Sequence, residues 1–117
     1  FLQYTHARIS SLINKSGSQV DYDWDQFELN EKERNLIILI SKFPQRIKAA
    51  ASDLNPSIIA AHLYELARGF NGFYQQHSVL TAETASIAAF RLDLCKEVAG
   101  VLNSGLNLLG IQAPKKM

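Results

Sequence analysis

The stretch NPSIIAAHLYELARGFNGFYQQH, Asn55 to His77, decides the fold. Asn caps helices well, and a proline at the first helical position forfeits no hydrogen bond. Ile59, Leu63, Leu66, Phe70 and Phe73 then recur at helical spacing, which predicts one helix to about His77 with a single apolar face. The overlapping stretch FNGFYQQHSVL, Phe70 to Leu80, mixes two phenylalanines and a tyrosine with Asn, Gly, Gln and His. A core helix has no need of so many amides, and a solvent helix has no need of so many rings. Tyr64, Arg68, Asn71 and Gln75, spaced 4, 3, 4, fall on the face opposite the apolar stripe.

Working outward, the reading stays helical. Thr81 is the expected cap of the last long helix, whose stripe is Ile87, Phe90, Leu94, Val98, Val101 and Leu102. Gly100 and Gly105 predict a kink or break near Ser104, after which GLNLLGI closes as a short turn with Gly110 past its end. Upstream, Asn30 followed by Glu33 reads as a capping box. Leu36, Ile37, Ile40 and Phe43 follow it, and Pro44 is expected to end that helix or open the next. A short helix then carries Ile47, Ala50, Ala51 and Leu54. In the first segment Leu2, Ile9, Leu12 and Ile13 share one face, and Tyr4, Arg8, Ser11 and Lys15 another. SGSQVDYDWDQ, residues 16–26, breaks the periodicity and reads as a loop, with Tyr22 and Trp24 pinning it to the core. With no repeat and no convincing strand, the expectation is all-α, a helical bundle of five or six helices.

The 117 residues make one ordinary domain with enough chain for a real core. Hydrophobic content is 47% and charged content 20%, a globular balance. No apolar run is long enough to span a membrane. The single cysteine, Cys95, forms no internal disulfide, which suits a reducing compartment, the cytoplasm. The chain opens on Phe in mid-pattern and is expected to be a piece of a longer protein. Net charge is +1, but residues 21–33 hold six acids against one lysine, so the remainder is mildly basic. That balance permits a polyanionic partner.

Familiar chemistries fail on spacing. His6, His62 and His77 lie far apart, with no zinc-ligand spacing. Asp21, Asp23 and Asp25 mimic the start of a calcium loop, but Gln26 and Lys32 stand where Gly and Glu are needed. There is no glycine-rich phosphate loop and no nucleophile elbow. Gly69 and Gly72 within a helix favour close packing, and Cys95 reads as a partly buried structural thiol. What remains is aromatic and amide content beside scattered cations, the residue types that stack unpaired RNA bases and bond their edges.

The order of three segments adds to this. FLQYTHARI at the start, LYELARGFNGFYQQHSVL in the middle and VLNSGLNLLGIQAPKKM at the end resemble the C-terminal anticodon-binding domain of arginyl-tRNA synthetases. That helical domain is often named for its DALR motif, and the resemblance covers essentially all 117 residues. It implies that the chain binds the anticodon stem-loop of an arginine tRNA and catalyses nothing alone. The parent attaches arginine to tRNA with ATP and magnesium, in a catalytic domain that lies outside residues 1–117, as does the N-terminal tRNA-binding domain. The chain itself needs no cofactor; its implied partners are the tRNA and that catalytic domain. By the motifs Tyr4, His6, Arg8, Asn71, Tyr74 and Met117, and by residue type and spacing Gln75, are the candidate tRNA-binding residues. Tyr4 and Tyr74 would flank splayed bases, Met117 would be an apolar wall, and Arg8 with Lys15 would meet phosphate or a base edge. SIAAFR, residues 86–91, shows no acidic partner close in sequence to its arginine. Another class I synthetase's anticodon domain, or a helical protein-interaction module, are the alternatives.

Overall fold

A computed structural model describes residues 1–15, 28–79 and 81–111. These residues form four helices: α1 (Leu2–Lys15), α2 (Glu31–Ser52), α3 (Ser57–Gln76) and α4 (Ala85–Leu108). The all-helical class stands, while the described helices number four rather than five or six, because two expected breaks are absent.

The first is at Pro44, which lies inside α2. Proline within a helix costs about 3 kcal/mol, yet α2 runs through it. Leu36, Ile40, Phe43, Ile47 and Ala50 keep one stripe across it, with Leu36, Phe43 and Ala50 buried, and Pro44 itself points to solvent. Burial on both sides of the proline outweighs the lost bond. The second expected break was near Ser104, but α4 passes through it. A Cβ on Gly105 would stand 2.5 Å from Leu63 Cδ2, so this glycine lets α4 approach α3 closely rather than weakening the helix.

The ends follow local chemistry. Asn30 and Glu33 form the expected box: Glu33 N donates to Asn30 Oδ1 at 2.8 Å, and Asn30 N donates to Glu33 Oε1 at 3.0 Å. At the start of α3, Pro56 already has helical angles and Asn55 Oδ1 accepts from Ser57 N at 3.2 Å. The cap of α4 is Thr84, whose Oγ1 accepts from Ile87 N at 3.1 Å, rather than Thr81. Thr81 instead bonds with Ser78, inside the connection. Helix α2 closes with Leu54 at φ 51°, and α4 with Gly110 at φ 78°, as expected for Gly110. The 16–26 loop, with Tyr22 and Trp24, lies outside the described residues.

Helices α2 and α3 run antiparallel: Leu36 lies near Gly69, and Phe43 stacks on His62. Helix α4 is also antiparallel to α3, with Gly105 beside Leu63 and Arg91 over Phe73. Helix α1 runs parallel to α3, since Phe1 meets Tyr64 while Arg8 meets Asn71 and Tyr74. Ile9, Leu36, Leu63, Leu66, Phe70, Phe73, Val98 and Leu102 fill the centre. Cys95 joins them fully buried, and burial pushes its thiol up to about 12, so it is an inert packing group. None of the described helices is long and apolar enough to cross a membrane.

Candidate nucleic-acid interface

Helix α1 contributes Tyr4 and Arg8 one turn apart, and α3 contributes Asn71 and Tyr74. Ile9 and Leu12 fasten α1 to the core, and Phe70 and Phe73 fasten α3, which leaves Tyr4 and Arg8 of α1 beside Asn71 and Tyr74 of α3 at the seam. The Arg8 guanidinium lies 5.1 Å from the Tyr4 ring centre and 5.2 Å from that of Tyr74. Such contacts favour a cation over a ring face. Arg8 Nη2 donates to the Tyr4 hydroxyl at 3.2 Å, and Nη1 donates to Asn71 Oδ1 at 3.2 Å. Asn71 Nδ2 donates to Thr5 Oγ1 at 3.3 Å, and Thr5 Oγ1 donates to the Phe1 carbonyl at 3.0 Å. This chain fixes the amide orientation of Asn71, which in turn fixes Arg8.

Tyr4, Ala7, Arg8, Ser11, Leu12, Lys15 and Tyr74 line a cleft of about 260 Å³. Tyr4 is 52% exposed and Tyr74 38%, so each ring offers area to a flat ligand. Two cations, Arg8 and Lys15, share the cleft with no carboxylate among its lining. An arrangement of rings and a pre-oriented guanidinium suits a planar, electron-rich group attached to an anion. A second hollow of about 290 Å³ adjoins it, sharing Leu12 and Tyr74 and adding His77, Ser78 and Val79.

The structure thus brings together Tyr4, Arg8, Asn71 and Tyr74, with Lys15 beside them. Asn71 spends its amide on Arg8 and Thr5, a holding role rather than a free edge. Gln75 is exposed on the turn after Asn71 but does not line the cleft, and His6 is buried in α1. Met117 lies outside the described residues. The 4, 3, 4 spacing marks Ser11 and Lys15, whereas Ala7 carries no polar or aromatic signal and Leu12 belongs to the apolar face of α1 while also lining the cleft. His77, Ser78 and Val79 carried no pattern that marked them. Arg91 does have an acidic partner: its Nε donates to Glu33 Oε2 at 2.8 Å, from α2 rather than from nearby sequence. No group of three or more His, Cys, Asp or Glu able to hold a metal occurs among the described residues.

Comparison with known proteins is consistent over the whole chain. The DALR anticodon binding domain family matches residues 2–117. An arginine–tRNA ligase of Pyrococcus abyssi is 44% identical over 124 residues, covering 100% of this chain and 19% of that protein. One of Bacteroides thetaiotaomicron is 40% identical, covering 100% and 20%. Among solved structures, Thermus thermophilus arginyl-tRNA synthetase superposes with a TM-score of 0.91 at 32% identity, covering 99% of this chain and 20% of that one. The chain spans about a fifth of the length of the relatives it matches. Its helices, its seam between α1 and α3 and its match over residues 2–117 together make it a member of the DALR anticodon-binding domain family.

Proposed function

We propose that this chain binds the anticodon loop of an arginine tRNA, as the anticodon-binding part of a cytoplasmic arginine–tRNA ligase. The observation that carries the reading is Arg8 held between Tyr4 and Tyr74 over an open cleft, in a chain of the DALR family. Unpaired bases stack on the exposed faces of Tyr4 and Tyr74. Arg8 and Lys15 meet a base edge and the backbone phosphate. Asn71 and Thr5 keep Arg8 in place before the RNA arrives, so that less ordering is needed on binding.

The attachment of arginine, with ATP and magnesium, belongs to the catalytic domain of the longer ligase. This chain's part is to hold the tRNA so that its acceptor end reaches that domain. A correct anticodon then raises the rate where its contacts favour the productive pose. Phosphate contacts dominate non-specific affinity, and two cations in the cleft make one modest contact among several.

An amide NMR titration of the 117-residue chain tests this, using an arginine anticodon stem-loop and a second loop with its central C replaced. Shifts centred on Tyr4, Arg8, Lys15 and Tyr74, larger for the native loop, are expected. Equal shifts for both loops would leave an RNA-binding domain without arginine specificity. No shifts at low salt would remove the cleft from the RNA interface.

A further inference from the structure

The seam between α1 and α3 does not end at the Tyr4–Tyr74 cleft. Because the two helices run parallel, it continues toward their N-termini and there carries a second ring-and-cation cluster. Tyr64 is 51% exposed, and its ring packs tilted against Phe1 with centres 5.3 Å apart. The Arg68 guanidinium lies 5.8 Å from the Tyr64 ring centre, and Arg68 is exposed. Among the described residues no carboxylate pairs with Arg68. The cluster repeats the elements of the cleft: an exposed tyrosine, a second ring and an arginine over its face.

Charge and position both select the occupant. Helix α1 carries Arg8 and Lys15 and no acid, and α3 carries Arg68 and the single acid Glu65. Glu65 is exposed and lies one turn from Arg68. The two helices together carry three cations, Arg8, Lys15 and Arg68, against that one acid. A protein partner of mixed charge gains nothing particular from that, whereas a polyanion does. Tyr64 and Tyr74 are ten residues apart on one helix, a rise of about 15 Å. That is a separation a single RNA strand can bridge with a few nucleotides, and repeated rings beside cations are how proteins hold such strands.

We propose that Tyr64 and Arg68 form a second station on the same RNA, in which Tyr64 stacks a further unpaired base or a loop-closing nucleotide and Arg68 meets the adjoining phosphate. The proposal rests on the anticodon-loop reading of the cleft and extends it along the seam. Tyr64 and Arg68 lie in the LYELARGFNGFYQQHSVL segment but outside the seven candidate tRNA-binding residues.

The test compares Tyr64→Ala, Arg68→Gln and Tyr74→Ala in the 117-residue chain, binding an arginine anticodon stem-loop in fluorescence anisotropy across a salt series. Tyr64, Arg68 and Tyr74 all reach solvent, so helicity by circular dichroism should be unchanged. Tyr64→Ala is expected to weaken binding roughly tenfold. Arg68→Gln is expected to flatten the slope of log affinity against log salt by about 0.7, one phosphate contact on a single strand. If Tyr74→Ala weakens binding and Tyr64→Ala and Arg68→Gln do not, the second station is overturned and the cleft stands. If none of the three changes affinity, both readings fall. If only Tyr64→Ala and Arg68→Gln weaken it, the RNA site is the second station and the cleft assignment is wrong. A longer ligase carrying Tyr64→Ala that loses activity at unchanged RNA affinity overturns the proposal in favour of a protein-docking face.

Discussion

Arg91 Nε donates to Glu33 Oε2 at 2.8 Å, joining the second turn of α4 to the first turn of α2. Both ends of this pair have other duties. Glu33 Oε1 caps α2 through Asn30 N, and Arg91 Nη1 donates to the Ser78 carbonyl at 2.8 Å. The Arg91 guanidinium also lies 6.0 Å from the Phe73 ring centre. One buried carboxylate and one arginine thus tie α2, α3, α4 and the α3–α4 connection together behind Tyr74.

Removing one partner of this pair should cost more than its net attraction suggests. Glu33 is 2% exposed, so Arg91→Ala leaves its charge buried and unmatched. We expect a loss of about 3 kcal/mol or more in urea unfolding. Glu33→Gln keeps an acceptor for Asn30 and should cost less. Equal and small losses for both variants would mean that the pair is solvated and contributes little.

The two late glycines of α4 should respond oppositely to alanine. At Gly105 the new Cβ meets Leu63, which is fully buried and has nowhere to retreat. Overpacking of this kind costs about 1–3 kcal/mol. At Gly100 nothing lies within 4 Å of the position, and the residue is exposed. Alanine there should stabilise by up to ~1 kcal/mol through helix preference alone. Thermal melts of the two variants check the sign: a rise for Gly100→Ala and a fall for Gly105→Ala.

Leu54 is the one described non-glycine residue with positive φ, and it is 89% exposed. It ends α2 as Gly110 ends α4. Asn55 N donates to Ala50 O and Leu54 N to Ala51 O, just as Ile111 N donates to Leu106 O and Gly110 N to Asn107 O. The left-handed conformation costs an L-residue about 1–2 kcal/mol. Glycine removes that cost but adds about 0.4–1 kcal/mol of unfolded-state entropy. Leu54→Gly should therefore stabilise the chain by a net ~0.5–1 kcal/mol, read from the denaturation midpoint. A destabilised variant would show that the leucine side chain packs favourably against the neighbouring Ile47, Ile59 and Leu108.

What the sequence disclosed, and what it hid, follows from the range of the interactions. The α3 stripe, the Asn30–Glu33 box and the Gly110 end depend on residues a few positions apart, and spacing alone reveals them. Pro44 misled because local preference said break, while the stripe continuing from Phe43 to Ile47 and Ala50 said otherwise. Gly105 misled because its partner, Leu63, is 42 positions away. The partner of Arg91 was hidden for the same reason: Glu33 comes from α2, 58 positions away. In the cleft, helical spacing marked Tyr4, Arg8 and Lys15, and the resemblance to the family's motifs marked Tyr74. That Asn71 serves Arg8 rather than facing outward depends on α1 and α3 lying side by side, which no single segment encodes.

His62 should make stability depend on pH. It is buried in α3, its ring stacked on Phe43 at 5.9 Å, and neither ring nitrogen has a well-placed hydrogen-bond partner. Burial lowers its pKa from the ordinary value of 6.5, with Arg46 and Lys42 acting in the same direction and the Leu39 backbone and Glu65 opposing. The fold therefore prefers the neutral ring, whereas the unfolded chain takes up a proton near pH 6.5. The contribution is fully present above that value. It declines as pH falls below 6.5 toward the folded-state pKa, because the unfolded state then binds more protons. His62→Phe keeps a ring against Phe43 and removes the titration. Unfolding free energies measured from pH 8 to pH 5 should fall more steeply for the parent chain than for His62→Phe. Parallel curves would mean that His62 protonates without opposing the fold, and that the acid sensitivity belongs to other groups.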